Sequence, residues 1–221
     1  MKIHEKYMSR AIQIAQKGRI QSRPNPSVGC VVVLNDCILS EAHTSSYGGA
    51  HAEVNALKKI PIETDLSTAS LYVTLEPCNH FGKTPPCSHY IVERGVKNVI
   101  VGMVDPNPLV AEKGIAHLRK HGVSVQTGVL EKECQYLHRH FTCSILKSRP
   151  YIHLKWAQST DGFIAPKESS RTEDGRPFWI SNAESKQFAH LLRTQYQAIL
   201  IGSTTLLRDN AQLTVRLWIG P

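Results

Sequence analysis

Apolar positions change period along the first part of the chain, and each change marks an element. Met8, Ile12 and Ala15, with Ala11 and Ile14 beside them, keep helical spacing across residues 4–17, and Gly18 offers a stop. Arg23-Pro24-Asn25-Pro26 cannot continue a helix. The apolar run Val28–Leu34 reads as a buried strand, Asn35-Asp36 as a hairpin turn and Cys37–Glu41 as the returning strand. After the loop Tyr47-Gly48-Gly49, residues 50–59 read as a helix with His51 and Glu53 in its first turn. Further strands are expected at Leu71–Leu75, Val99–Val104 and Val123–Val125, and helices at Ser88–Arg94, Gly114–His121 and Leu130–Leu146. Strands alternating with helices predict an α/β sandwich with helices on both faces of the sheet.

Ser148-Arg149-Pro150 interrupts this pattern and suggests two domains, 1–147 and 148–221. The second begins with a strand at Tyr151–Ala157 and the turn Asp161-Gly162. A helix at Asn182–Arg193 and a strand at Ala198–Ile201 follow. An alternating pattern that has only just begun within this span predicts the incomplete start of a domain, from a truncated gene product or a fragment.

Composition narrows the function classes. A chain of 221 residues with 41% hydrophobic and 20% charged residues buries a core without disulfides. There is no run of eighteen apolar residues, and Met1–Met8 lacks a signal peptide's apolar stretch. A cytoplasmic location and no membrane partner are therefore expected. The net charge of +8 is scattered, with only pairs such as Lys58-Lys59 and Arg119-Lys120, which argues against a nucleic-acid partner. Of six cysteines, Cys30 lies in an apolar run, while Cys37, Cys134 and Cys143 have no partner motif and read as packing residues.

Cys78 and Cys87 differ from these, because they follow His51-Ala52-Glu53 in an order that suits a metal. Zinc prefers imidazole nitrogen and thiolate sulfur, and three protein ligands (His51, Cys78 and Cys87) leave a fourth position for water. Glu53 sits two residues beyond His51 and suits proton transfer beside the metal. The His-x-Glu and Pro-Cys arrangement is that of zinc nucleobase deaminases, although here the cysteines are separated by the long segment Asn79–Pro86 rather than by two residues. Two blander readings stand beside it. One makes His51 a helix-start residue and the cysteines core; the other is a structural zinc with His80 or His89 as fourth ligand.

At these residues the chain resembles the bifunctional deaminase–reductases of riboflavin biosynthesis, over nearly its whole length. The motifs are Pro24–Cys30, His51-Ala52-Glu53-Val54, Thr74–His80, Gly82–Cys87 and Asp105-Pro106-Asn107-Pro108, and the long cysteine spacing is typical of that family. The resemblance implies a cytidine-deaminase-like three-layer α/β/α sandwich, followed by the incomplete start of a dihydrofolate-reductase-like α/β domain. It implies zinc-dependent hydrolytic deamination of 2,5-diamino-6-ribosylamino-4(3H)-pyrimidinone 5′-phosphate, with Glu53 catalytic. Asn25, His43, His80, Lys83, Asp105 and Asn107 are the implied substrate contacts.

In the second part, Tyr151–Ala157, Ser159–Gly162, Trp179-Ile180-Ser181, Ala198–Gly202 and Leu213–Arg216 resemble the opening of the family's reductase domain. Family correspondence puts Ala157, Trp179, Thr205 and Asp209 near NADPH, and Lys155, Arg193 and Arg216 near substrate. The family's Gly-rich phosphate loop belongs to later strands, so impaired reduction is expected. Association into dimers or tetramers is a family habit. The alternatives are another cytidine-, guanine- or tRNA-adenosine-type zinc deaminase and, from another class, a nucleic-acid-binding zinc module.

Overall fold

A computed structural model describes residues 3–82, 84–167 and 178–220, and the chain divides into two compact units, Met1–Tyr151 and Ile152–Pro221. The first unit is built on five strands: β1 (Gly29–Leu34), β2 (Cys37–His43), β3 (Ser70–Leu75), β4 (Asn98–Met103) and β5 (Ser124–Thr127). They form one mixed sheet in the order β2-β1-β3-β4-β5. β1 runs antiparallel to both β2 and β3, whereas β3, β4 and β5 are parallel. Asn35 and Asp36 take positive φ values of 51° and 60°, the left-handed pair that turns a tight hairpin with the strands' own twist.

Alternation along the strands assigns each side chain to a layer. Cys30, Val32, Leu71, Val73, Val99 and Val101 pack under α2 (Ala52–Lys58), α3 (Cys87–Glu93) and α4 (Lys113–Lys120). Val31, Val33, Tyr72 and Ile100 pack on the opposite face against Tyr7, Met8 and Ala11 of α1 (Ile3–Lys17) and Cys134 of α5 (Glu131–Leu137). Helices therefore cover both faces, as the pattern predicts, and β1 carries no polar side chain because neither of its faces meets water. Each buried Val, Leu or Ile contributes about 1.5–3 kcal/mol relative to exposure. At Gly29 a Cβ would stand 1.9 Å from the Ala11 carbonyl oxygen, so only glycine lets α1 lie this close to β1.

Two expectations are corrected within this unit. The helix expected over 130–146 is broken into α5 and α6 (Arg139–Lys147) at His138, which turns inward and places Nε2 3.1 Å from the Thr74 hydroxyl. His51 is not in the first turn of α2 but is its extended N-cap residue, at φ −74° and ψ 166°.

In the second unit the described residues contain two helices, α7 (Ala183–Gln195) and α8 (Ser203–Asp209). Asn182 caps α7 through a 2.8 Å bond from the Ser185 N–H to its Oδ1. The strands expected at Tyr151–Ala157 and Ala198–Ile201 do not form, because no ladder partner stands beside them among the described residues. Ile152, Leu154 and Trp156 are accordingly exposed rather than packed. No helix among the described residues is long and apolar enough to cross a membrane.

Candidate active site

His51 reaches the site because the segment before α2 is pinned from within the helix. One turn after His51, the Asn55 amide donates to the carbonyls of His43 and Ala50, at 2.9 and 3.2 Å, and to the Ser45 hydroxyl. Cys78 follows the end of β3, and Cys87 is the first residue of α3. The stems of the long intervening segment are joined. Cys87 N–H points at Cys78 Sγ at 3.4 Å, Ser88 N–H donates to the Cys78 carbonyl at 3.1 Å, and the Ser88 hydroxyl donates to Asn79 Oδ1 at 2.8 Å.

His51 Nδ1 lies 3.5 Å from Cys78 Sγ and 3.3 Å from Cys87 Sγ, and the three donor atoms fall within 4.8 Å of one another. In a tetrahedral zinc site with ordinary bond lengths, imidazole nitrogen and thiolate sulfur stand about 3.6 Å apart. The arrangement therefore fits a zinc-sized ion in both distance and donor chemistry. The three groups hydrogen-bond to one another. The Cys87 thiol and then the His51 ring hold Cys78 down at about 4. The hydrogen bond with Cys78, and then burial, push Cys87 well up, while contact with Cys78 raises His51 to about 9. The protons so held on Cys87 and His51 are those a metal displaces on binding.

Glu53 is buried beside the cluster, 3% exposed. Burial pushes its carboxyl up to about 7, the Cys78 thiolate adds to that rise, and His51 opposes it. A carboxyl near neutrality can take up and give back a proton. A cation bound to the three donors would favour its ionised form.

Two further residues, given no role by the sequence reading, support the site. Glu76, two residues before Cys78, is buried, and its carboxylate accepts four backbone N–H groups. Oε2 takes Asp105 and Glu112 at 3.2 and 3.0 Å, and Oε1 takes Gly114 and Ile115 at 3.0 and 3.3 Å. It thereby caps the start of α4 and places negative charge at a helix N-terminus. At Gly114 a Cβ would lie 1.8 Å from the Pro77 carbonyl oxygen, so glycine is required for α4 to approach the Cys78 segment. Arg94, just beyond α3, is also buried and donates to the carbonyls of Leu57, Ile60 and Pro61 at the end of α2. It joins the helix that carries His51 and Glu53 to the helix that begins with Cys87. The sequence signal for Glu76 is its place within the Thr74–His80 motif, whereas Arg94, between Glu93 and Gly95, carries none.

A cleft of about 200 Å³ opens over the cluster, lined by Asn25, Tyr47, Gly48, Gly49, His51, Cys78, His80, Gly82 and Thr84. Asn25 and His80 therefore share the cleft wall with His51 and Cys78, and Cys87 lies outside that lining. His43, Asp105 and Asn107 are not among the lining residues. His43 Nδ1 faces the Thr44 carbonyl at 3.0 Å. Asp105 Oδ1 accepts from Asn107 N–H, and Asn107 Oδ1 accepts from Leu109 N–H, so both side chains shape their own loop. Burial raises the Asp105 carboxyl above its ordinary range. Lys83 lies outside the described residues.

The second unit has its own groove of about 630 Å³, in which Lys155 stands with Trp156, Ser181 and Phe188. Arg193 donates to the Thr214 carbonyl at 2.7 Å, and Arg216 reaches the Thr214 hydroxyl at 3.4 Å, so these two guanidinium groups meet around one residue. Ala157, Trp179, Thr205 and Asp209 do not line the groove. Trp179 instead lies 4.0 Å beneath the Lys186 ammonium, and Thr205 and Asp209 stand on α8.

Residues 1–103 match the cytidine and deoxycytidylate deaminase zinc-binding region, and residues 150–221 match the RibD C-terminal domain. The riboflavin biosynthesis protein RibD of Aquifex aeolicus is 43% identical over 214 residues, covering 97% of this chain and 58% of that protein. RibD of Escherichia coli is 41% identical over 212 residues, covering 96% and 56%. Among solved structures, a diaminohydroxyphosphoribosylaminopyrimidine deaminase/5-amino-6-(5-phosphoribosylamino)uracil reductase from Thermotoga maritima matches with a TM-score of 0.88 at 42% identity, over 99% of this chain and 60% of that one. Acinetobacter baumannii RibD matches with a TM-score of 0.85 at 37% identity. The chain spans somewhat over half the length of these relatives.

Proposed function

Because the chain belongs to the RibD family, we propose that its first unit is a zinc-dependent hydrolytic deaminase of the phosphorylated diaminopyrimidinone used in riboflavin biosynthesis. The observation that carries this reading is the convergence of His51 Nδ1, Cys78 Sγ and Cys87 Sγ with the buried Glu53 beside them. The three would hold zinc, which lowers the pKa of a bound water towards about 7. Asn25 and His80, in the wall of the same cleft, would orient the substrate. Glu53 would take a proton from the attacking water and return it to the departing amine. The ring carbon thus exchanges its amino group for oxygen, and ammonia leaves. Burial suits Glu53 to hold the proton between the two transfers, because it raises the carboxyl, while the bound cation would favour its ionised form for the first.

For the second unit we infer that these residues by themselves do not hold NADPH tightly. Among the described residues there is no sheet here, and so no strand-to-helix crevice whose backbone N–H groups could cradle a dinucleotide. The positions tied to NADPH by family resemblance are also not gathered at the groove.

The test is ammonia release from the phosphorylated diaminopyrimidinone by the zinc-loaded chain and by Glu53→Ala. Turnover in the intact protein and its loss in the variant, with zinc retained, are expected. Full activity in the variant, or none in the intact zinc-loaded chain, refutes the assignment. Calorimetry with NADPH examines the second unit, where tight binding would contradict the inference.

A further inference from the structure

Outside the deaminase cleft, three histidines stack into a column on the surface formed by α3 and α4. His89 belongs to α3, His117 to α4, and His121 is the C-cap residue of α4. The rings of His89 and His117 are 4.0 Å apart at 14°, and those of His117 and His121 are 4.3 Å apart at 36°. His89 and His121 are exposed and His117 is half-buried, so all three can be reached from solvent.

The spacing and the hydrogen bonding both favour a metal. His117 and His121 are one turn apart and share a helix face. His121 Nδ1 lies 2.8 Å from the His117 carbonyl oxygen. A carbonyl only accepts, so Nδ1 carries the proton and the Nε2 lone pair is free. A histidine that donates one ring N–H to a backbone carbonyl is oriented and tautomerically set to ligate through its other nitrogen. An imidazole binds an ion in its own ring plane, so the stacked rings, with centroids 4.0 and 4.3 Å apart, must turn out of the stack for their nitrogens to converge. The column's donors are less converged than those of His51, Cys78 and Cys87, the one set with all donor atoms within 4.8 Å among the described residues. Rotation of both the His89 and the His117 rings is needed to close the difference, and their access to solvent leaves room for it.

We propose that His117 and His121, with His89 as third ligand, form an outer site for a divalent transition-metal ion that prefers imidazole. The set contains no carboxylate, and Arg119 and Lys120 lie beside it on α4, which disfavours hard cations such as magnesium and calcium. Imidazole sites favour nickel and, above it, copper(II). An ion held there would bridge α3, which begins with Cys87, to α4, whose N-terminus is capped by Glu76.

The experiment uses the full chain carrying one equivalent of zinc, titrated calorimetrically with nickel(II) while protein-bound zinc is measured. One further equivalent is expected with zinc unchanged. It should vanish in His117→Gln/His121→Gln and weaken about tenfold in His89→Gln, the loss of one ligand interaction of roughly 1.4 kcal/mol. Absence of a further equivalent, its survival in the double variant, or uptake only as zinc leaves would overturn the proposal. Unchanged affinity in His89→Gln would remove His89 from the ligand set. Should the double variant not fold, the intact chain decides. Substoichiometric copper(II) should broaden the ring-proton resonances of His89, His117 and His121 before those of His4 and His153, and broadening in the reverse order would count against the site.

Discussion

The Glu76 carboxylate accepts a 3.0 Å hydrogen bond from the backbone N–H of Gly114, and through it the segment that carries Cys78 is tied to the start of α4. Three more backbone N–H groups share the same carboxylate. Glu76→Ala leaves all four without their acceptor. We expect a loss of about 3 kcal/mol or more in urea unfolding, given about 1–3 kcal/mol for each buried group left unpaired and partial relaxation. Glu76→Gln should lose much of this as well, because its amide keeps one acceptor oxygen and turns an N–H donor toward other donors. Equal stability of the Gln variant and the parent would contradict this.

Arg94 makes the corresponding join between α2 and α3. Arg94→Leu should destabilise the first unit by about 2–4 kcal/mol, since three carbonyls at the end of α2 lose a charged donor. Arg94→Lys should recover only part, because an ammonium cannot fork across carbonyls as a guanidinium does. The same variants should weaken zinc binding, measured by competition with a chelator, as the helices that present His51 and Cys87 lose register.

Metal uptake should release at least two protons per ion at pH 7.5, from His51 and Cys87, with a bound water and Glu53 adding to the count. His51, raised to about 9, and Cys87, pushed well up, both carry protons at that pH, whereas Cys78, held at about 4, is already a thiolate. Zinc titrations in buffers of different ionisation enthalpy read this number directly. No dependence on buffer would show that the cluster binds metal without losing protons.

His138 supplies an acid-sensitive element far in sequence from His51, Cys78 and Cys87. Burial, and then Arg19, hold its ring at about 4 in the folded protein, against an ordinary 6.5. Between those values the unfolded chain binds the proton and the folded chain does not, so stability rises with pH there. The contribution is fully present above about 6.5 and is lost as pH falls toward 4, on the order of 3 kcal/mol. Chemical denaturation at pH 7.5 and 4.5 should therefore show a smaller acid loss in His138→Gln than in the parent. Parallel losses in the two proteins would exclude His138.

Much of the first unit was legible because its signals are periodic. Val28–Leu34 is uniformly apolar, and both of its faces prove covered; Asn35-Asp36 marks the hairpin between β1 and β2. The convergence of His51, Cys78 and Cys87 was legible because each stands at an element's edge, where a side chain can meet others. Glu76 and Arg94 were not, since their partners are backbone groups that have no residue type. The break at His138 was hidden for a related reason: helical spacing continues through it, and only the long-range contact with Thr74 requires the bend. In the second unit apolar runs predicted strands, but a strand exists only beside a partner, which no local pattern supplies.

The joined stems at Cys78, Asn79, Cys87 and Ser88 give residues 79–86 the character of an exchangeable module. With both ends fastened by Ser88 and by the cysteines themselves, altering the length between them adds little closure entropy, about 0.6 kcal/mol per doubling. Such a segment can be lengthened, shortened or grafted while the donors behind it stay in place. The rim of the cleft can therefore diverge between proteins that keep the same three donors, and under the proposed function it is the natural place to redirect the choice of substrate by engineering.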